Sequence, residues 1–127
     1  GLDSEDFMEP ALMMRTACAL LAITALGGIT MAGMRFAGKP QPPTWLAMFH
    51  GLLAGAAVTL LLYAYFTTGI PALAAWALLL FLIAAAGGAF INLNYHWKLV
   101  PLPIGLMVGH AVIAVVGFVL LVVSVLR

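Results

Sequence analysis

Four long runs of apolar residues make up most of this sequence, and they limit the fold more than any other feature does. The runs cover about residues 11–36, 44–66, 71–92 and 102–126. A helix that spans a bilayer needs about 20 mainly apolar residues, so each run is long enough to cross once. Charged residues are 7% of the 127 residues, whereas a soluble domain has roughly 25%. The sequence therefore predicts an integral membrane protein in contact with a lipid bilayer.

The spanning elements are expected to be helices. Inside a bilayer only helices and closed barrels satisfy all backbone N–H and C=O groups, and the apolar runs show no strand-like alternation. Short links join the runs, which favours an up-down-up-down bundle of four transmembrane helices. We expect an all-α membrane protein in which residues 1–127 form a single membrane domain. Residues 1–10 are predicted to be a polar tail that carries all four carboxylates.

The charged residues limit both the partners and the orientation. A net charge of +1 argues against nucleic acid as a partner. Lys and Arg concentrate in the cytoplasmic loops of membrane proteins. Arg35, Lys39 and Lys98 lie near the first and third links, whereas Arg15 and Arg127 lie on the other side. We therefore expect a bacterial inner-membrane protein with both termini outside and with the first and third links in the cytoplasm.

A shift of 60 residues aligns the two halves of the sequence without a gap. Matched leucines and alanines mean little in so apolar a composition, but the same shift also matches several uncommon residues. These matches are Gly27-Gly28 with Gly87-Gly88, Pro43 with Pro103, and His50 with His110. The pattern predicts two tandem helical hairpins related by a pseudo-twofold axis along the membrane normal.

His50 and His110 are the only ionisable residues that lie well inside the apolar runs. An ionisable side chain at membrane depth is costly and by default marks a function. Each histidine lies seven residues beyond its matched proline, which places both about 10 Å below the basic-side interface. Gly27-Gly28 lie eight to nine residues before the end of the first span, and the 60-residue shift places Gly87-Gly88 at the matched position of the third span. Both histidines and both glycine pairs should therefore lie in one layer of the bundle.

The helix faces that carry the histidines contain Ala47, Ala54 and Ala57 around His50, and Met107, Ala114 and Gly117 around His110. Each histidine thus has small residues one and two turns along its own helix. Small residues allow close helix packing, or they leave space for a flat prosthetic group. Two histidines that face each other across a twofold axis suit a b-type haem ligated by both imidazoles. The sequence has no Cys-x-x-Cys-His, which excludes a c-type haem.

A candidate haem site follows from these positions. His50 and His110 are the predicted metal ligands, and no catalytic residue is predicted. Haem propionates need cations at the water boundary, where the basic residues lie, with His96 in a loop as a further candidate. The predicted cofactor-binding residues are Gly27, Gly28, Gly87, Gly88, Ala54, Ala114, Arg35, Lys39 and Lys98.

With four spans and the paired histidines His50 and His110, the chain resembles four-helix membrane b-type cytochromes and, loosely, cytochrome b561-like proteins. The resemblance covers the architecture and these two histidines. It departs from the b561 pattern, which uses four intramembrane histidines for two haems. The Gly-Lys-Pro…Pro…His-Gly pattern also resembles small uncharacterised bacterial membrane proteins. The cytochrome resemblance implies electron transport through a haem.

Other interpretations of the histidine pair stay open. The histidines can be interhelical hydrogen bonders in a cofactor-free accessory subunit of a larger membrane complex, respiratory or other. A transition metal or a proton site is less favoured, because zinc needs four ligands, or three and a water. A third hypothesis is that the chain is a subunit of a quinone-linked oxidoreductase in which the haem relays electrons.

The leading prediction is a small electron-transfer protein that meets a redox partner on the basic side. It is not expected to be an enzyme by itself, because the histidine layer offers no acid, base or nucleophile.

Overall fold

The computed structural model describes residues 9–127, and every regular element in this range is helical. The helices are α1 (Pro10–Phe36), α2 (Thr44–Thr67), α3 (Ala72–Ile91) and α4 (Ile104–Leu126). A π-helical turn, Asn92–His96, extends α3. All four helices are long and apolar enough to cross a membrane, which confirms the prediction of an all-α protein with four membrane-spanning helices. Most of the predicted polar tail, residues 1–8, lies outside the described residues.

Prolines mark where each helix begins. Pro10 is the first residue of α1, and Pro43, Pro71 and Pro103 immediately precede the other three helices. Proline lacks the N–H that a first helical turn leaves unused, and its ring holds φ near the helical value. Gly69 lies in the link between α2 and α3 with a φ of 73°, a conformation that glycine adopts without steric cost. Local sequence therefore accounts for most helix boundaries.

The helices pack in two tight pairs. Helix α1 packs mainly against α2, and α3 mainly against α4, with looser α1–α4 and α2–α3 contacts. Within residues 9–127 the backbones of α1 and α3 do not approach each other closely, and neither do those of α2 and α4. Helices α1 and α3 therefore lie diagonally opposite each other around the centre of the bundle, and so do α2 and α4.

The buried core occupies one half of the bundle. Its residues come from the first halves of α1 and α3 and from the second halves of α2 and α4. They are Met14, Ala17, Leu21, Ala57, Val58, Leu61, Ala74, Ala77, Leu78, Phe81 and Leu121. Lipid tails are as apolar as these side chains, so the packing gains its stability from van der Waals contact rather than from escape from water.

The other half of the bundle has fewer buried side chains. We call it the histidine half, and it comprises residues 25–36, 47–56, 85–91 and 104–116. These residues are exposed or half-buried, whereas Leu46, His96 and Leu102 at the same end of the bundle are buried. Side chains that face lipid can stay exposed without cost. We call the region between the four helices in this half the cleft.

The first and third links close the outer end of this cleft. The N–H of Leu102 donates to the carbonyl of Pro40 over 3.2 Å. Arg35 donates from Nε to the carbonyl of Leu102 over 2.9 Å, and Gln41 donates from Nε2 to the carbonyl of Val100. The links thus hold α1 and α2 to the segment before α4 at the end of the bundle that carries the histidines.

Candidate functional site

Two imidazoles meet in the cleft. His50 projects from α2 and His110 from α4, and their ring centroids lie 6.2 Å apart with an interplanar angle of 65°. Both side chains are half-buried. The two helices are diagonally opposite, so the rings reach towards each other across the centre of the bundle. The predicted meeting of the two histidines is present in the structure.

Each ring is held by a backbone carbonyl of the helix before its own. Nδ1 of His50 lies 2.8 Å from the carbonyl oxygen of Thr24, and Nδ1 of His110 lies 2.8 Å from that of Ala84. In each case the acceptor precedes the histidine by 26 residues. A carbonyl oxygen can only accept, so the neutral ring carries its proton on Nδ1 and its lone pair on Nε2. This is the tautomer in which a histidine binds a metal through Nε2.

Glycines on α1 and α3 make room for these rings. A Cβ atom built on Gly28 would lie 3.0 Å from Cε1 of His50, and one on Gly88 would lie 3.1 Å from Cε1 of His110. A Cβ on Gly27 would lie 3.8 Å from Cβ of His50, whereas one on Gly87 would meet nothing within 4 Å. Gly28 and Gly88 therefore leave room for an imidazole ring, and Gly27 lies beside His50, whereas no histidine lies within 4 Å of the Cβ position of Gly87. Their predicted role in binding a cofactor stays a prediction.

The small residues beside the histidines divide the cleft from the packed core. Ala54 and Ala114, one turn along from the histidines, are half-buried. One turn further, Ala57 is fully buried, and a Cβ atom on Gly117 would lie 3.1 Å from Cε1 of Phe81. The cleft therefore ends just beyond the two alanines, where the helices close on one another.

The predicted basic residues lie in different environments. Arg35 is half-buried at the end of α1 and is tied to the carbonyl of Leu102. Lys39 and Lys98 are exposed on the first and third links. The structure therefore brings Arg35 to the inner surface of the bundle and leaves both lysines on its outer end.

His96 corrects the sequence prediction. It was expected in a loop, but it lies in the π-helical turn and is only 7% exposed. Its Nδ1 lies 3.0 Å from Oδ1 of Asn92, and Nδ2 of Asn94 donates to the carbonyl of Phe90 over 3.0 Å. The segment looked like a loop because it is polar. Its polar side chains instead bond within the turn, which keeps the chain helical.

The site offers two electron-pair donors and little else. Among residues 9–127 no group of three or more His, Cys, Asp or Glu side chains is placed to hold a metal ion. Comparison of the chain with models of protein families, with curated proteins and with solved structures finds no match.

Proposed function

We propose that this chain is a small integral-membrane electron-transfer protein that binds one b-type haem between His50 and His110. The distance between the two rings carries this proposal. Two imidazoles bound to opposite sides of one metal, with nitrogen–metal bonds of about 2 Å, have ring centroids about 6 Å apart. The observed separation is 6.2 Å. His50 and His110 are therefore near enough for both imidazoles to reach one metal ion, and they would hold the iron of the haem.

The surroundings of the rings also fit this group. Hydrogen bonds to Thr24 and Ala84 set the tautomer and orientation of each ring, as second-shell partners of metal-ligating histidines do. Gly28 and Gly88 leave no side chain in the way of the rings. Ala54 and Ala114, one turn along from the histidines, are small and half-buried.

The chain's own residues would hold and insulate the cofactor. Haem iron supplies reversible one-electron chemistry when bound. His50 and His110 would ligate the metal, and the apolar helices would keep water away from it. Arg35, with Lys39 and Lys98 at the outer end, would offset the negative charge of the propionates.

We further propose that the bundle is up-down-up-down and consists of two hairpin repeats. Matched contacts support this view, because the bonds of His50 to Thr24 and of His110 to Ala84 correspond under the 60-residue shift. The contacts of Gly28 and Gly88 correspond in the same way. The repeat would place the two axial ligands on either side of a pseudo-twofold axis along the membrane normal.

The orientation and partners belong to the same proposal. Loops rich in Lys and Arg stay in the cytoplasm, so in a bacterial inner membrane the first and third links would face the cytoplasm and both termini would lie outside. A redox partner, or further subunits of a membrane complex, would dock on this basic side, where Lys39 and Lys98 are exposed.

A visible spectrum tests the proposal. The purified protein from haem-replete cells should show a reduced-minus-oxidised α-band in the b region, at one haem per chain. His50→Ala and His110→Ala should each abolish the band, while Gly55→Ala, at an open position outside the ring contacts, should leave it unchanged. A colourless but folded preparation would disprove haem binding.

The same hydrogen bonds support one alternative, a cofactor-free accessory subunit of a larger membrane complex. In lipid an interhelical hydrogen bond contributes about 0.6 to 2 kcal/mol, so the histidines could act simply to join helices. In that case His50→Ala would lower stability by about this amount, and the wild-type protein would remain colourless after haem addition.

A further inference from the structure

We propose that a groove between α1 and α4 binds one anionic phospholipid, with an acyl chain in the groove and the phosphate at its outer end. The groove is lined by apolar side chains of both helices, among them Ala32, Phe36, Met107, Ala111, Val115 and Val116. This site goes beyond the proposed haem protein and does not rest on it.

The groove lies on the lipid-facing surface of the histidine half. It has a volume of about 300 Å³ and forms where α1 and α4 pack loosely against each other. Val112, a further wall residue, is 55% exposed. It follows His110 by two residues, which places it about 200° around α4 from that histidine. The groove therefore opens towards lipid and not into the cleft.

The dimensions of the groove suit a hydrocarbon chain. Met107 and Val116 are nine residues apart on α4, which corresponds to about 13 Å along the helix axis. The walls carry no polar side chain that would select a polar ligand. An acyl chain is apolar along its length and gains van der Waals contact where it fills a space between side chains.

Two cations lie at the outer end of the groove. Phe36 lines the groove, and its neighbour Arg35 donates from Nε to the carbonyl of Leu102 over 2.9 Å. The N–H of Leu102 donates to the carbonyl of Pro40 over 3.2 Å, which places the exposed Lys39 beside the same segment. These bonds bring both cations to the junction where the end of α1 meets the start of α4.

The charge of this junction favours an anion. Helix α4 begins there without a side-chain cap, and the N-terminus of a helix carries a partial positive charge. Arg35 has two Nη groups besides Nε, so one can donate to a phosphate while the other stays available to the cleft. All four carboxylate side chains lie in residues 1–10, near the start of α1 rather than at its end. A phosphodiester is therefore the part of a membrane lipid that fits this junction.

The contact between α2 and α3 differs at the corresponding positions. Under the 60-residue shift, Ala32 and Phe36 correspond to Asn92 and His96. His96 is 7% exposed, and its Nδ1 lies 3.0 Å from Oδ1 of Asn92. Because these two polar side chains bond to each other, we expect one bound lipid per chain rather than two.

Native mass spectrometry of the purified full-length protein tests the headgroup site. Phosphatidylglycerol and phosphatidylcholine with identical oleoyl chains are each titrated, and the ratio of their dissociation constants is measured. Each Lys or Arg near an anionic lipid contributes about fivefold in affinity, so two cations should favour phosphatidylglycerol by about tenfold or more. Lys39→Gln should lower this ratio about fivefold. Arg15→Gln, which removes the same charge near the other end of α1, should leave the ratio unchanged.

Ala111→Leu tests the groove, because the longer side chain would occupy the space of the acyl chain. It should raise the dissociation constants of both lipids several-fold and leave their ratio unchanged. Gly51→Leu is the matched control, since Gly51 corresponds to Ala111 under the 60-residue shift and a Cβ atom there would meet nothing within 4 Å. This control should change neither constant.

Lys39 and Ala111 are both exposed, so neither substitution removes a buried side chain, and circular dichroism checks that each variant is folded. Equal wild-type affinities for the two lipids, or a wild-type ratio in Lys39→Gln, would overturn the headgroup site. Unchanged constants in Ala111→Leu would overturn the groove as the site of the chain. A mass of two protein chains that Ala111→Leu dissociates would also overturn the proposal, because a second copy would then cover the groove.

Discussion

At the scale of single residues, the site depends on contacts that only small or absent side chains permit. His50 and His110 are polar groups in apolar helices, and each is accommodated by a carbonyl bond at Nδ1 and by a glycine at its Cε1 edge. The carbonyl bond at Nδ1 therefore fixes the orientation of each ring and places the lone pair of the neutral ring on Nε2. The glycine matters for the absence of a Cβ atom rather than for backbone freedom, since both glycines lie within helices.

Gly28→Ala is expected to destabilise the protein by about 1 to 3 kcal/mol, the usual cost of an overpacked site. The added Cβ would lie 3.0 Å from Cε1 of His50 and would force the ring away from the carbonyl of Thr24. Gly33→Ala on the same helix is the control, because its Cβ would meet nothing within 4 Å. Unfolding of the two variants by denaturing detergent measures the difference. Equal stabilities would show that the glycine contact is not restrictive.

At the scale of elements, the two halves of each helix differ in burial. One half of each helix contributes to the packed core, and the other half lies in the more exposed histidine half. The π-helical turn at the end of α3 changes the direction of a single side chain, His96, without ending the helix. The links supply hydrogen bonds at the end of the bundle that carries the histidines.

Leu61→Ala should cost about 2 to 5 kcal/mol, as other buried leucine truncations do. Leu61 is fully buried in the core, whereas Leu52, on the same helix in the histidine half, is 68% exposed. Leu52→Ala should change the free energy of unfolding by at most about 0.5 kcal/mol. Reversible unfolding in mixed micelles measures the free energy of unfolding of the Leu61→Ala and Leu52→Ala variants. Similar losses would mean that Leu52 is covered in the membrane-embedded protein.

At the scale of the whole molecule, the bundle has one end with a buried core and one end that the proposed haem would stabilise. The core joins all four helices in one half, while the histidine half relies on the two imidazole contacts and on the links. Ligand binding should therefore affect the two halves differently.

Haem at a hundred times its dissociation constant should stabilise the fold by about 2.7 kcal/mol. Hydrogen exchange should slow mainly in the histidine half and little around the core. His50→Ala provides the control and should show neither effect. Uniform slowing along all four helices would argue for a general effect of haem on the micelle rather than for binding in the cleft.

The sequence by itself determined the class of fold and the approximate helix boundaries. The reason is local, because backbone groups in lipid must bond within their own helix, and prolines such as Pro43 and Pro103 stop and start helices through their own rings. The 60-residue shift also predicted that His50 and His110 lie in one layer of the bundle, although the repeat itself stays a prediction.

Only the tertiary structure decided what each histidine contacts. The carbonyls of Thr24 and Ala84 carry no side-chain signal, and they become partners only because α1 packs against α2 and α3 against α4. Gly87 and Gly88 are adjacent in sequence, but only one of them faces His110. His96 was placed in a loop from its polar neighbours, whereas one extra residue in a helical turn buries it. Which residues of a helix face a neighbour depends on the rotation of that helix about its axis. Packing between the helices sets this rotation, and amino-acid composition does not.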